Sequence, residues 1–206
     1  MAPAVFLDRD GVINRDRPDF VKSWDEFEFL PHTLEALRIL SQTPYAIVIV
    51  SNQSGIGRGL LTEETLRDMH SRMVDRIQAA GGRIDAIYYC PHAPDVGCAC
   101  RKPAAGLFLQ AAHDLSLDLA ASWSIGDSYR DAQAANRAGV RAILLGRSLP
   151  DHSAIPEMPV EAIRTADLLS AVRIIARNDT GNDTGNDTGN GTGNGTGNDG
   201  LLAGPA

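Results

Sequence analysis

Five short apolar runs, separated by helical patterns, constrain this chain more than any other feature. They are Val5-Phe6-Leu7, Ala46 to Val50, Ala86 to Tyr89, Trp123-Ser124-Ile125 and Arg141 to Leu145. They show little polar alternation, as expected of strands covered on both faces. Between them, Leu34, Leu37 and Leu40 share one side of a helix over Thr33 to Leu40. Thr62 is a fitting N-cap for a second helix, with Glu63 and Glu64 in its first turn. Leu66, Met69, Met73 and Ile77 then recur at helical spacing until Gly81-Gly82 ends the helix, and this stripe reads as core. Leu107 to Leu115, Asp131 to Ala138 and Ala166 to Ala176 complete the set. Strand alternating with helix predicts an α/β fold with an open parallel sheet.

In such sheets a ligand lies beyond the carboxyl ends of the strands. The polar residues Asp8, Ser51, Cys90 and Asp127 stand at the ends of four of these runs. In Asp8-Arg9-Asp10-Gly11, two carboxylates at i and i+2 can reach one cavity as the chain leaves the sheet. Gly11 lets the backbone turn. Alone, such a pair is often a solvated turn; a buried strand before it and a third carboxylate at another strand end favour chemistry. That third carboxylate is Asp127, which could otherwise simply cap the next helix. Oxygen ligands with open positions suit Mg²⁺. Asp131, one turn further on, reads as a support rather than a ligand. Ser51-Asn52-Gln53-Ser54-Gly55 supplies donors for phosphate oxygens, and Arg101-Lys102 supplies two cations.

The chain has 206 residues, is 43% hydrophobic and carries a formal net charge of -7. One folded domain over residues 1–177 is expected. From Asn178 the sequence repeats Asn-Asp-Thr-Gly or Asn-Gly-Thr-Gly, a polar, glycine-rich pattern that cannot bury enough apolar surface to fold. Residues 178–206 are therefore expected to be a disordered tail. The tail also carries Asp179, Asp183, Asp187 and Asp199 without a Lys or Arg, so the body is only mildly acidic. A nucleic-acid partner, which needs a basic stripe, is not expected. Neither a leader peptide nor a run of ~18 apolar residues is evident, so a cytoplasmic protein without a membrane partner is expected, and the Asn-x-Thr sequons are incidental.

All three cysteines fall within Cys90-Pro91-His92-Ala93-Pro94-Asp95-Val96-Gly97-Cys98-Ala99-Cys100. Cys90, His92, Cys98 and Cys100 make a closed tetrahedral donor set, the composition of a structural Zn²⁺ site. A disulfide or redox pair is the rival, but it leaves His92 unexplained and suits a reducing cytoplasm poorly. His32, His70, His113 and His152 have no such company and read as surface or core residues. The cysteine loop runs directly into Arg101 and Lys102, which suggests that the metal holds those cations in place.

Leu7 to Asn14, Ser51 to Gly55, Cys100-Arg101-Lys102-Pro103 and Gly126-Asp127-x-x-x-Asp131 occur in the order of the four motifs of the haloacid dehalogenase (HAD) superfamily of phosphatases. The resemblance spans about Val5 to Gly146. It is strongest to the small capless group that contains heptose-bisphosphate and histidinol-phosphate phosphatases, which share the cysteine cluster. It implies a Rossmann-like open parallel sheet flanked by helices, without a large cap and with a zinc-binding loop. It implies further that Asp8 attacks phosphorus and that Asp10 serves as general acid and base. Ser51, Arg101 and Lys102 would stabilise the transferring phosphoryl group, and Asp8, the Asp10 carbonyl and Asp127 would hold Mg²⁺. Asp16, Arg17, Pro18 and Asp19, with Ser51, Asn52, Gln53, Ser54, Arg101 and Lys102, would contact substrate.

Phe20-Val21, Trp24, Glu28 to Pro31 and Ser51 to Gly59 resemble the heptose-bisphosphate enzymes along continuous stretches. The expected activity is hydrolysis of the 7-phosphate of a heptose 1,7-bisphosphate, serving nucleotide-activated heptose synthesis. The x5 spacing between His92 and Cys98 also resembles histidinol-phosphate phosphatases, which is the alternative. A non-catalytic zinc module is a third reading, and retention of Asp8, Asp10, Lys102 and Asp127 argues against it. The expected partner is a small phosphorylated sugar, and no extra apolar stripe calls for a second subunit, so a monomer is expected.

Overall fold

The computed structural model describes residues 1–146 and 160–182. His152 lies outside the described residues, as does the tail beyond its first few positions. Six parallel strands form one open sheet: β1 (Ala2–Leu7), β2 (Ala46–Asn52), β3 (Ala86–Cys90), β4 (Leu117–Gly126), β5 (Arg141–Leu145) and β6 (Ala162–Thr165). Their spatial order is β3-β2-β1-β4-β5-β6. The chain thus winds outward from β1 to β3, then returns to the other side of β1 with β4. This reversal opens a crevice between the carboxyl ends of β1 and β4, where ligands of such sheets bind. Leu7 pairs with Ile49 on one side and Ile125 on the other, so Asp8 and Asp127 leave the sheet side by side.

Both faces of the sheet are covered, which explains the unbroken apolar runs. Val5, Leu7, Ile47, Ile49, Ile125 and Ile143 point to one face and pack with α1 (Thr33–Leu40), α2 (Glu63–Ala79) and α5 (Leu168–Asn182). Phe6, Val48, Val50, Ala142 and Leu144 point to the other and meet α3 (Gly106–Leu115) and α4 (Tyr129–Arg137). Met69 and Met73 are fully buried, as the stripe on α2 predicts. Thr62 caps α2 by accepting a hydrogen bond from the Thr65 amide at 3.1 Å.

Several boundaries differ from the sequence reading. β6, only four residues long, carries no apolar run, and its Ile163 and Arg164 are exposed. β4 begins at Leu117, well before the run at Trp123, and its register with β1 shifts between Pro3 and Val5. α4 starts two residues before Asp131, with Ser128 as its N-cap. α5 continues to Asn182, past the boundary expected at 177. The connections that could carry a cap, residues 8–32 and 91–105, hold one 3-10 turn each: Trp24–Glu26 and Pro94–Val96. No helix among the described residues is long and apolar enough to cross a membrane.

Candidate active site

A cavity of about 330 Å³ opens at the β1–β4 crevice. Asp8, Asp10, Ser51, Arg101, Lys102 and Asp127, drawn from four different strand ends, all line it. Two glycines make that convergence possible. A Cβ on Gly11 would lie 1.9 Å from the Asp127 carboxylate, and one on Gly126 would lie 2.2 Å from Asp131 Cβ. Gly11 also has a φ of +80°, which other residues rarely adopt.

Lys102, 3% exposed, reaches in beneath Asp8. Its ammonium lies 3.0 Å from Asp8 Oδ1 and 2.5 Å from Asp131 Oδ1, and it donates to the Val50 carbonyl at 2.8 Å. All three of its hydrogens are thereby engaged. Burial alone would lower the Lys102 pKa, but Asp131 and Asp8 outweigh it and hold it above its ordinary value. Asp8 fares differently. Burial pushes it up to about 7 against the pull of Lys102, with Asp131, Asp10 and Asp127 adding repulsion.

Asp131 is the support that the sequence suggested. Its second oxygen accepts from the Ser128 amide at 3.0 Å and the Ser128 hydroxyl at 2.6 Å, so both oxygens are occupied by protein. Because Ser128 caps α4, Asp127 is released from that duty and faces the cavity.

Asp10 sits among donors. Arg9 Nη2 donates to both its oxygens at 2.8 Å, Asn14 Nδ2 donates at 2.8 Å and Gln53 Nε2 at 2.9 Å. Burial would raise its pKa, yet the Arg9 charge and these hydrogen bonds hold it below its ordinary value. Arg9 and Asn14 lie within the first motif, and the sequence alone gives neither a role. The signal was there: a cation directly after a buried strand can be buried only if it is paired.

The remaining expected site residues divide. Asp16, Arg17, Pro18 and Ser54 line the cavity. Asp19 is not among the lining residues; it pairs with Lys22 and Arg17 on the surface. Asn52 lines the cavity but clasps the Lys102 backbone in both directions: its Oδ1 accepts at 3.0 Å and its Nδ2 donates at 3.1 Å. Gln53 spends both amide hydrogens on Asp10 and Ser51. Arg101 Nη1 is buried and finds no hydrogen-bond partner among the described residues, a donor fitted to an anion in the cavity. Ser128 and Arg130 also line the cavity, and the sequence reading gave neither a role.

Two donor sets suit metals. Single carboxylate oxygens of Asp8, Asp127 and Asp131 lie within 4.8 Å of one another. Burial, with Asp131 and Asp16, pushes Asp127 up to about 6. Asp8 and Asp127 thus offer crowded oxygen donors of the kind that a hard divalent cation takes. At the end of β3, Cys90, His92, Cys98 and Cys100 converge with sulfur–sulfur distances of 3.3–3.5 Å and His92 Nδ1 at 3.3 Å from Cys100 Sγ. All three cysteines are free. A zinc ion with bonds of about 2.3 Å to sulfur fits between donors at this separation.

The HAD-hydrolase-like family model matches residues 99–170, from the cysteine loop through Asp127 to the start of α5. Fold and site together define a HAD-superfamily hydrolase. The D-glycero-β-D-manno-heptose-1,7-bisphosphate 7-phosphatase of Bordetella bronchiseptica is 44% identical over 157 residues, covering 74% of this chain and 88% of that protein. The Pseudomonas aeruginosa protein of the same name is 39% identical over 73% of this chain and 90% of its own length. The crystal structure of the B. bronchiseptica D,D-heptose 1,7-bisphosphate phosphatase, complexed with magnesium and phosphate, superposes with a TM-score of 0.78 at 39% identity, covering 85% of this chain and 99% of that one. The chain belongs to the D-glycero-β-D-manno-heptose-1,7-bisphosphate 7-phosphatase family.

Proposed function

We propose that this chain hydrolyses the 7-phosphate of D-glycero-β-D-manno-heptose 1,7-bisphosphate, with Asp8 as nucleophile and Asp10 as general acid and base. One observation carries the assignment of roles. Asp8 and Asp10 face the same cavity two residues apart; Asp8 offers an oxygen within 4.8 Å of the Asp127 carboxylate and 3.0 Å from the Lys102 ammonium, whereas Asp10 is held by Arg9, Asn14 and Gln53.

Asp8 attacks phosphorus as the ester P–O bond breaks, and Asp10 gives its proton to the departing sugar oxygen. The product is an aspartyl-phosphate on Asp8. Water then attacks that phosphorus, loses its proton to Asp10, and restores the Asp8 carboxylate with release of inorganic phosphate. In the resting site Asp10 is held ionised, which suits the base of the second step. A phosphate group placed beside it raises its pKa, the direction that the acid of the first step requires.

Ser51, Arg101 and Lys102 stabilise the transferring phosphoryl group. The hydrogens of Lys102 are all engaged, so its charge acts through Asp8 and Arg101 supplies the free donor. Asp8, the backbone carbonyl of Asp10 and Asp127 hold Mg²⁺, which supplies positive charge to the phosphoryl oxygens and keeps Asp8 a carboxylate. Cys90, His92, Cys98 and Cys100 hold a structural Zn²⁺. Asp16, Arg17, Pro18 and Ser54 meet the sugar. Asn52 and Gln53 serve the site through Lys102 and Asp10.

The test is a side-by-side kcat/KM comparison on the β- and α-anomers of the bisphosphate and on histidinol phosphate. The β-anomer is expected to lead by at least about tenfold, the scale a few placed polar contacts can supply. Histidinol phosphate as the best of the three would move the chain to a different substrate class.

A further inference from the structure

The guanidinium of Arg9 has three nitrogens, and only two of them serve Asp10. Nε and Nη2 grip the carboxylate, at 3.2 Å and 2.8 Å to Oδ1. Nη1 points away, into α2, where it meets His70 Nε2 at 3.4 Å and Met69 Sδ at 3.8 Å. Arg9 is 1% exposed and His70 is 6% exposed, so water does not compete for that contact. An arginine nitrogen only donates, so His70 Nε2 accepts and the imidazole proton resides on Nδ1. Burial, with the Arg9 charge, lowers the His70 pKa to about 3, and the ring stays neutral. Tyr89 of β3 stands edge-on to the ring, 6.0 Å between centroids.

We infer that His70 is a positioning residue for the general acid: it anchors the free arm of Arg9, and Arg9 thereby aims the Asp10 carboxyl at the leaving oxygen. A leucine in its place would fill similar space without offering an acceptor. The guanidinium would then have a buried, unpaired N–H and would turn to satisfy it, taking Asp10 with it. His70 touches no substrate atom; its effect passes through Arg9. Asn14 and Gln53 also bond Asp10, so the carboxyl would be misaimed rather than freed.

This inference rests on Asp10 acting as general acid, and the experiment separates the two. His70→Leu, His70→Gln and Asp10→Asn are compared with the wild type by kcat/KM on the sugar bisphosphate and on p-nitrophenyl phosphate, whose leaving group departs as an anion without a proton. His70→Leu is expected to lose at least about tenfold on the sugar, part of the effect of a general acid, and less than about threefold on p-nitrophenyl phosphate. His70→Gln, which returns an acceptor near Nε2, is expected to recover most of the loss. Equal losses on both substrates, no loss on the sugar, or a Gln variant as impaired as Leu overturns the inference. If Asp10→Asn itself shows no leaving-group dependence, the general-acid assignment fails instead. Should His70→Leu not fold, His70→Asn, whose shorter amide leaves Nη1 unpaired, carries the same comparison.

Discussion

One wall of the cavity is built of acids around a single lysine, the other of donors around a single acid. On the first wall Asp8, Asp127 and Asp131 share Lys102, and burial with mutual repulsion pushes Asp8 to about 7 and Asp127 to about 6. On the second, Arg9, Asn14 and Gln53 surround Asp10 and hold it below its ordinary value. The first wall is electrostatically incomplete without a cation and the anionic group that a cation brings. The second is complete from within the protein. On the roles proposed above, Asp8 would be the nucleophile that a metal holds ionised and Asp10 the acid whose aim fixed donors set, the division of labour that two-step phosphoryl transfer requires.

The largest test of this contrast is to break the first wall at its nucleophilic acid. Asp8→Asn is expected to lower kcat by at least about a thousandfold on any phosphate ester, because no nucleophile remains. Measured 32P-labelling of the protein should vanish with it. Asp8→Asn with appreciable turnover would assign the nucleophile elsewhere.

Removing the proposed zinc should act mainly on the first wall, although the Gln53 backbone amide also donates to the Cys90 carbonyl at 2.8 Å. The cysteine loop leads into Arg101 and Lys102, and Asn52 ties Lys102 to the end of β2. Cys98→Ser, or a zinc-selective chelator with Mg²⁺ kept in excess, is expected to lower kcat at least about tenfold equally on sugar and p-nitrophenyl substrates, and to lower Tm by on the order of 5 °C. The purified protein should contain about one zinc per chain. A loss confined to the sugar substrate would place the effect on the Asp10 wall and break the contrast.

The smallest expected effect is on stability against pH. Asp8 and Asp127 have folded-state pKa values raised above those of an unfolded chain. Between about pH 4 and pH 7 the folded state therefore binds more protons, and the metal-free protein loses this share of its stability as pH rises. Mg²⁺ should raise Tm by more at pH 8 than at pH 5, since at pH 5 it competes with protons on both carboxylates. Thermal melts with and without Mg²⁺ at the two pH values measure this, and an equal gain at both would remove the metal from that wall.

The fold was largely legible. Central strands covered on both faces must be apolar throughout, so β1, β2 and β5 announce themselves, and helical periodicity marks α1 and α2. β6 was missed because it is only four residues long and its Ile163 and Arg164 are exposed, so no apolar run marks it. Asp8, Ser51 and Asp127 were legible as residue types at strand ends, whereas Lys102, in the loop well past β3, was joined to them only by the resemblance to the four motifs. Their partners were less legible. Asn52 and Gln53 looked like substrate contacts because polar side chains after a strand usually face a ligand, whereas here they hold Lys102 and Asp10. Asp19 sits in the right loop and faces the wrong way, bound by Lys22.

By itself the sequence determined the alternation of strands and helices, the residues that end the strands, and the chemistry those residues carry. These follow from local periodicity and from side-chain type, both of which are written along the chain. The order β3-β2-β1-β4-β5-β6, which sets Asp8 against Asp127, was decided only by the tertiary structure. So was the contact of His70, from the middle of α2, with Arg9 at the end of β1. Such contacts join residues some sixty positions apart, and a side chain's partner depends on where other elements pack, which no local pattern encodes.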